Sequence, residues 1–149
     1  MSSAYHATRR VEFSDTDMAG IVHFSSFFHY MEEAEHALLR SFGMSVVQFE
    51  GEEKISWPRV KASCQYTRPV RFEDMLDIEV RIRKLGRSSV EYEFLFFQDG
   101  HPIATGEITA VCCRFSKGEP PKPIPLSESY REQAQQYLKE YVDDPPSPS

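Results

Sequence analysis

Two periods divide the chain. From Phe27 to Phe42 apolar residues recur at helical spacing: Phe27, Met31, Ala34, Leu38 and Phe42 make one stripe, widened by Phe28, Tyr30 and Leu39. His29, Glu32, Glu33, His36 and Arg40 fall on the other side. The pattern predicts a helix of roughly four turns, capped by Ser25 or Ser26. Gly43 suits the left-handed position that closes a helix. Glu35 falls inside the apolar arc, so it lies at an edge, is paired, or is functional; pairing with a basic residue across a dimer is one expectation.

After residue 59 the period becomes two. "VKASCQY" places Val60, Ala62, Cys64 and Tyr66 on one face. "MLDIEVRIRKL" sets Leu76, Ile78, Val80 and Ile82 against Asp77, Glu79, Arg81 and Arg83. "SVEYEFLFF" alternates Val90, Tyr92, Phe94 and Phe96 with acids, and "PIATGEITAVCCRF" aligns Ala104, Gly106, Ile108, Ala110 and Cys112. These are half-buried antiparallel strands, and the last three form a meander through turns at Gly86–Ser88 and Asp99-Gly100. A short first strand is predicted in "TRRVEF", and "MSVVQFEGEEKIS" is a loop with a short helix or strand. "KGEPPKPIP" is expected to stay out of any ladder because proline lacks the N–H. "SESYREQAQQYLKEY" reads as a polar C-terminal helix, and residues 143–149 as a frayed Pro/Ser tail after a single domain over 1–142. One helix followed by a mostly antiparallel sheet is an α+β layer architecture.

Composition narrows the function. The chain has 149 residues, of which 40% are apolar, enough for one buried core. A net charge of -6 argues against nucleic acid as a partner. Cys64, Cys112 and Cys113 lack metal-finger or disulfide spacing, so no metal is expected, and free thiols inside strands fit a cytoplasmic protein. "MSSAYHATRRVEF" has no apolar secretory core, and no run is long enough to span a membrane. "EAEH", Glu33 to His36, has the spacing of a di-iron ligand pair, but such sites need a second copy on another core helix, so a solvated face is expected.

The stretch ahead of the helix holds the candidate chemistry. In "FSDTDMAGIVHF", Asp15 and Asp17 stand two apart, followed by Gly20, His23 and Phe24. Orphan N–H groups at a helix start can polarise a carbonyl without any side chain, and Gly20 would let the backbone approach a bound group closely. The plain reading of Asp17 is a turn or cap residue, and Asp15 is expected to satisfy loop amides or a neighbouring Arg.

"DTDMAGIVHF", "FFHYMEEA" and "YTRPVRFEDMLDIEV" together resemble the hotdog-fold acyl-CoA thioesterases of the 4-hydroxybenzoyl-CoA thioesterase type, over about Val11 to Phe115. The resemblance implies a hotdog: a long central helix wrapped by an antiparallel sheet of about five strands, working as a homodimer or homotetramer. It implies an acyl-CoA substrate, with CoA as part of that substrate and no further cofactor. Asp17 would be the catalytic carboxylate, with backbone amides near His23 and Phe24 as oxyanion donors. The His23 ring would orient the thioester, share protons with Asp17 or touch the acyl group; its plain reading is a part-buried His satisfied by backbone. Glu32 matches the family's helix Glu, facing a partner subunit or a pocket wall. The family places CoA phosphates at a basic hairpin, here Lys84 and Arg87, with Arg83 and Ser88 as second choices. The hairpin is thinner in cations than the family's, which keeps an acyl carrier protein as an alternative donor. Two other functions stay open: a hotdog hydratase or dehydratase using His23 and Glu32, and a non-catalytic acyl-binding module.

Overall fold

The computed structural model describes residues 4–138. Its main sheet has five antiparallel strands: β1 (Tyr5–Arg10), β4 (Arg59–Tyr66), β5 (Met75–Leu85), β6 (Ser89–Gln98) and β7 (His101–Val111). Their spatial order is β1-β5-β6-β7-β4. Alternation in β5 and β6 does what the period predicts: Leu76, Ile78, Val80, Ile82, Val90, Tyr92, Phe94 and Phe96 are all buried. The Asp99-Gly100 turn has positive φ at both residues, as a tight hairpin with the strands' twist requires.

Helix α1 (Ser26–Ser41) lies against this sheet with its apolar stripe inward. Phe27 packs edge-on to Phe96 of β6 and Tyr66 of β4, each with ring centres 5.3 Å apart. Met31 approaches Gly106 of β7 so closely that a Cβ built there would stand 2.3 Å from its sulfur. The helix ends as predicted, with Gly43 at φ +76° donating to the Arg40 carbonyl. Its start differs in detail. Ser25 occupies the cap position without a side-chain cap bond, because its hydroxyl is engaged by His23 Nδ1 at 2.8 Å. Ser26 Oγ instead donates to the Asp15 carbonyl at 2.9 Å.

A second sheet was not visible in the periodicity. It joins β2 (Gln48–Glu50), β3 (Glu53–Ser56), β8 (Cys113–Phe115) and β9 (Lys122–Pro123), in the order β2-β3-β8-β9. The proline-rich exit therefore does join a ladder: Lys122 supplies the pairing opposite Arg114, and Ile124 N–H donates to the Cys112 carbonyl. Three other expectations need correction. The first strand lies earlier than "TRRVEF", because the chain turns at Phe13–Asp15 into a single 3-10 turn. β4, an edge strand, does not alternate in burial, and its Val60 and Tyr66 stand exposed. The C-terminal helix α2 (Glu128–Ala134) is shorter than predicted, although Ser127 caps it through Tyr130 N–H. The expected Pro/Ser tail lies outside the described residues.

Tyr130 of α2 closes the molecule. It packs on Trp57 and Phe42 and shares a buried hydroxyl contact of 2.6 Å with Tyr92. Glu35, fully buried on α1, takes both guanidinium nitrogens of Arg59 on β4. That partner is in the same chain, not across a dimer. Burial still holds the Glu35 carboxyl above its ordinary range, with Arg59 pulling the other way. Among the described residues no helix is long and apolar enough to cross a membrane.

Candidate active site

The loop from Val11 to Ser25 is bound on several sides before any ligand is considered. Val11 exchanges backbone bonds with the Glu73–Asp74 turn, and Val22 N–H donates to the Val70 carbonyl at 2.8 Å. Asp15 is the centre of the loop. Its carboxylate accepts from Arg9 at 3.2 Å and from Glu12 N–H at 2.9 Å. Its carbonyl accepts from His23 N–H at 2.8 Å and from Ser26 Oγ. Thr16 Oγ1 donates to the Phe13 carbonyl at 2.7 Å.

Asp17 opens a tight turn. Its Oδ1 accepts from Ala19 N–H at 2.8 Å, an Asx-turn, and its carbonyl accepts from Gly20 N–H at 3.0 Å. Gly20 is needed for its φ of +81°; a Cβ there would meet nothing, so close approach is not the reason for the glycine in this chain. Asp17 Oδ2 has no hydrogen bond to a described residue.

Asp17 borders a cavity of about 430 Å³ between this loop and the segment Tyr66–Val70. Phe24, Phe27, Ile21 and Val70 give it apolar walls, and Arg68 is its other charged member. Tyr66 crosses the mouth and donates its hydroxyl to the Phe24 carbonyl at 2.8 Å. Burial, then neighbouring Cys64, push the Tyr66 phenol up to about 12, so it stays a neutral donor at pH 7.

The amides at the helix start are not equivalent. His23 N–H is occupied by Asp15, Ser25 N–H by His23 Nδ1 at 3.2 Å, and Ser26 N–H by the His23 carbonyl at 2.9 Å. Phe24 N–H has no partner among the described residues. Of the two amides expected as donors, that of His23 is held by the loop and that of Phe24 is open. The His23 ring stacks on Phe24 with centres 4.6 Å apart, and its Nδ1 is satisfied locally by Ser25. It does not line the cavity.

The remaining candidates lie elsewhere. Glu32 is half exposed, 3.9 Å from Arg59, outside the cavity. Glu33 pairs with Arg9 at 2.6 Å, and no three metal-type ligands gather among the described residues. Lys84, Arg87 and Ser88 sit at the β5–β6 turn, while Asp74 and Val11 meet at the other end of β5. The eleven residues of β5 separate them from the Asp17 loop by about 33 Å of extended chain. Arg83 is already bound to Glu107 at 2.7 Å and Glu93 at 3.4 Å. Tyr66, Arg68 and Val70 border the site without having been singled out. The signal for them was the stretch "YTRPVRFEDMLDIEV", which matches the family's passage into a strand but assigns none of its residues to the site.

A long helix laid on a five-stranded antiparallel sheet, with its leading end beside a cavity, is the hotdog architecture. The family model described as "Thioesterase-like superfamily" matches residues 11–134. The chain belongs to this superfamily and is a thioester hydrolase of the acyl-CoA thioesterase type. A gentisyl-coenzyme A thioesterase structure is 32% identical, with a TM-score of 0.76, covering 87% of this chain and 99% of that one. A 1,4-dihydroxy-2-naphthoyl-CoA hydrolase of Synechococcus elongatus is 29% identical over 122 residues, 81% of this chain and 89% of the relative. A 1,4-dihydroxy-2-naphthoyl-CoA thioesterase structure from Synechocystis, 21% identical with a TM-score of 0.77, covers 89% of this chain and 96% of its own and shares the fold.

Proposed function

We propose that this protein hydrolyses an aromatic acyl-CoA to the free acid and CoA, with the acyl group in the cavity beside Asp17. The observation that carries the reading is Asp17 itself: it borders the cavity, one carboxylate oxygen is fixed by Ala19 N–H, and the other has no partner among the described residues. The free oxygen takes a proton from water as it adds to the carbonyl, or adds to the carbonyl itself. Phe24 N–H, at the positive end of α1, donates to the oxyanion as the C=O opens. Collapse of the tetrahedral species expels the CoA thiolate, which takes up a proton; where Asp17 itself has added, water then cleaves the acyl–Asp17 anhydride and releases the free acid and the carboxylate. No metal or cofactor takes part.

The aromatic acyl group is supported by the aromatic walls Phe24, Phe27 and Tyr66 and by the gentisyl and naphthoyl groups in the relatives' names. The reading assigns the His23 ring a supporting role, holding Ser25 and Phe24 so that the Phe24 amide faces the cavity. A homodimer or homotetramer belongs to the same reading, supported by the exposed edge strand β4 and its uncovered Val60.

The test is thiol release from a panel of aromatic and aliphatic acyl-CoAs by wild type and Asp17→Asn. Asparagine keeps the acceptor for Ala19 N–H and removes the base. A fall in kcat of about 10²-fold or more with an unchanged melting temperature is expected. Turnover within a few-fold of wild type would remove Asp17 from the reaction.

A further inference from the structure

The cavity beside Asp17 does not end at Arg68. A second groove, of about 350 Å³, continues from it and shares Arg68 and Pro69 as a common wall. Arg71, Gln98, His101 and Ile103 complete it. Neither the Arg68 nor the Arg71 guanidinium makes an ion pair or hydrogen bond with a described residue. Arg9, Arg59, Arg81, Arg83 and Arg114, by contrast, are matched to carboxylates, while Arg40 and Arg87, which also lack an ion pair among the described residues, border neither the cavity nor the groove. In a chain of net charge -6, two free guanidiniums facing one groove are a local exception to the molecule's field.

The backbone carrying them is fixed. Thr67 and Arg68 N–H both donate to the Ile103 carbonyl, at 2.8 and 3.2 Å, tying the segment to β7. Arg71 N–H donates to Asp74 Oδ2 at 2.9 Å, which closes the turn that carries it. Val70 ties the same segment to the Asp17 loop through Val22. The cations are thus held in register with the carboxylate.

From this geometry we infer that Arg68, Arg71 and His101 bind the phosphate groups of the CoA thioester whose carbonyl lies at Asp17. The inference rests on the hydrolase reading above and adds the path of the substrate. The arm leaves the acyl cavity over the Arg68–Pro69 wall, and its anionic end meets the groove of the same chain. Within one chain the β5–β6 hairpin, with Lys84 and Arg87, lies a strand length from Asp17, so the groove and the hairpin are separate candidates that the variants below tell apart. Guanidinium–phosphate contacts are charge-assisted and planar, which suits two free arginines better than one flexible lysine.

The experiment is calorimetric titration of free CoA into wild type, Arg71→Ala/His101→Ala and Lys84→Ala/Arg87→Ala. The groove variant is expected to bind at least tenfold more weakly than wild type, and more weakly than the hairpin variant. In turnover, its kcat/KM for an acyl-CoA is expected to fall at least tenfold further than for the same acyl group on N-acetylcysteamine, which lacks phosphate. Wild-type affinity in the groove variant, a larger loss in the hairpin variant, equal losses on both esters, or no binding of CoA to wild type would each overturn the assignment. Inactive Asp17→Asn is not required for any of these outcomes, so a failure of the catalytic reading would show separately, as turnover that ignores Asp17.

Discussion

Asp15 accepts four hydrogen bonds, two through its carboxylate and two through its carbonyl, and all of them hold the loop. Asp17, two residues on, keeps one carboxylate oxygen for the turn and leaves the other at the cavity. Arg9 takes up the charge of the first acid, so the two do not compete for the same environment. Asp15→Ala is therefore expected to cost about 1–3 kcal/mol in urea denaturation, by orphaning Glu12 N–H and Arg9. Asp17→Asn is expected to leave that curve in place. A denaturation midpoint for Asp15→Ala equal to wild type would mean that the loop is held by its other contacts. The sequence made both roles expectable for the pair. It left open which amide at the helix start is available, because that depends on Asp15's carbonyl finding His23.

Between elements, Glu35 and Arg59 tie α1 to the edge strand β4. Helical periodicity marked Glu35 as anomalous, and only the fold supplied its partner, 24 residues away. Removing one member of a buried pair leaves a bare charge, so Arg59→Ala is expected to destabilise by about 3–5 kcal/mol at neutral pH. The cost depends on pH. A carboxyl raised by burial holds its proton in the folded chain after the unfolded chain has released it. Stability then falls as pH rises from the ordinary carboxylate value through the folded one. Without Arg59 the folded value rises further, so the gap between variant and wild type is smallest near pH 4 and widens towards pH 7. Thermal unfolding at several pH values measures it, and a gap independent of pH would mean that packing, not charge, is what Arg59 supplies. Long alternating strands were legible because each has one buried face. The strands of the second sheet span two to four residues, too few to show a period, and β4 lacks alternation because its Val60, Ala62 and Tyr66 stay exposed on the face where the period placed a core.

For the whole molecule, the site depends on the separation of two layers, the helix and the sheet. At Gly106 that separation is reduced to the thickness of a backbone, with the Met31 sulfur where a side chain would stand and the Ser63 carbonyl 3.3 Å from the same point. Gly106→Ala is expected to cost about 1–3 kcal/mol through overpacking, read as a lower melting temperature. Melting at the wild-type temperature would mean that Met31 can fold away at no cost. The alternation in "PIATGEITAV" placed Gly106 on the buried face, but a glycine in a strand pattern does not say what presses against it. Met31 is fully buried, so shortening it alone leaves a void, which is costly in its own right. The choice of residue at position 31 is therefore expected to constrain that at 106, and the reverse. A bulkier residue at 106 is tolerable only in a background where 31 has already shrunk, and a smaller residue at 31 is held back while 106 remains glycine. Relatives of this chain are expected to change the two together or to keep both.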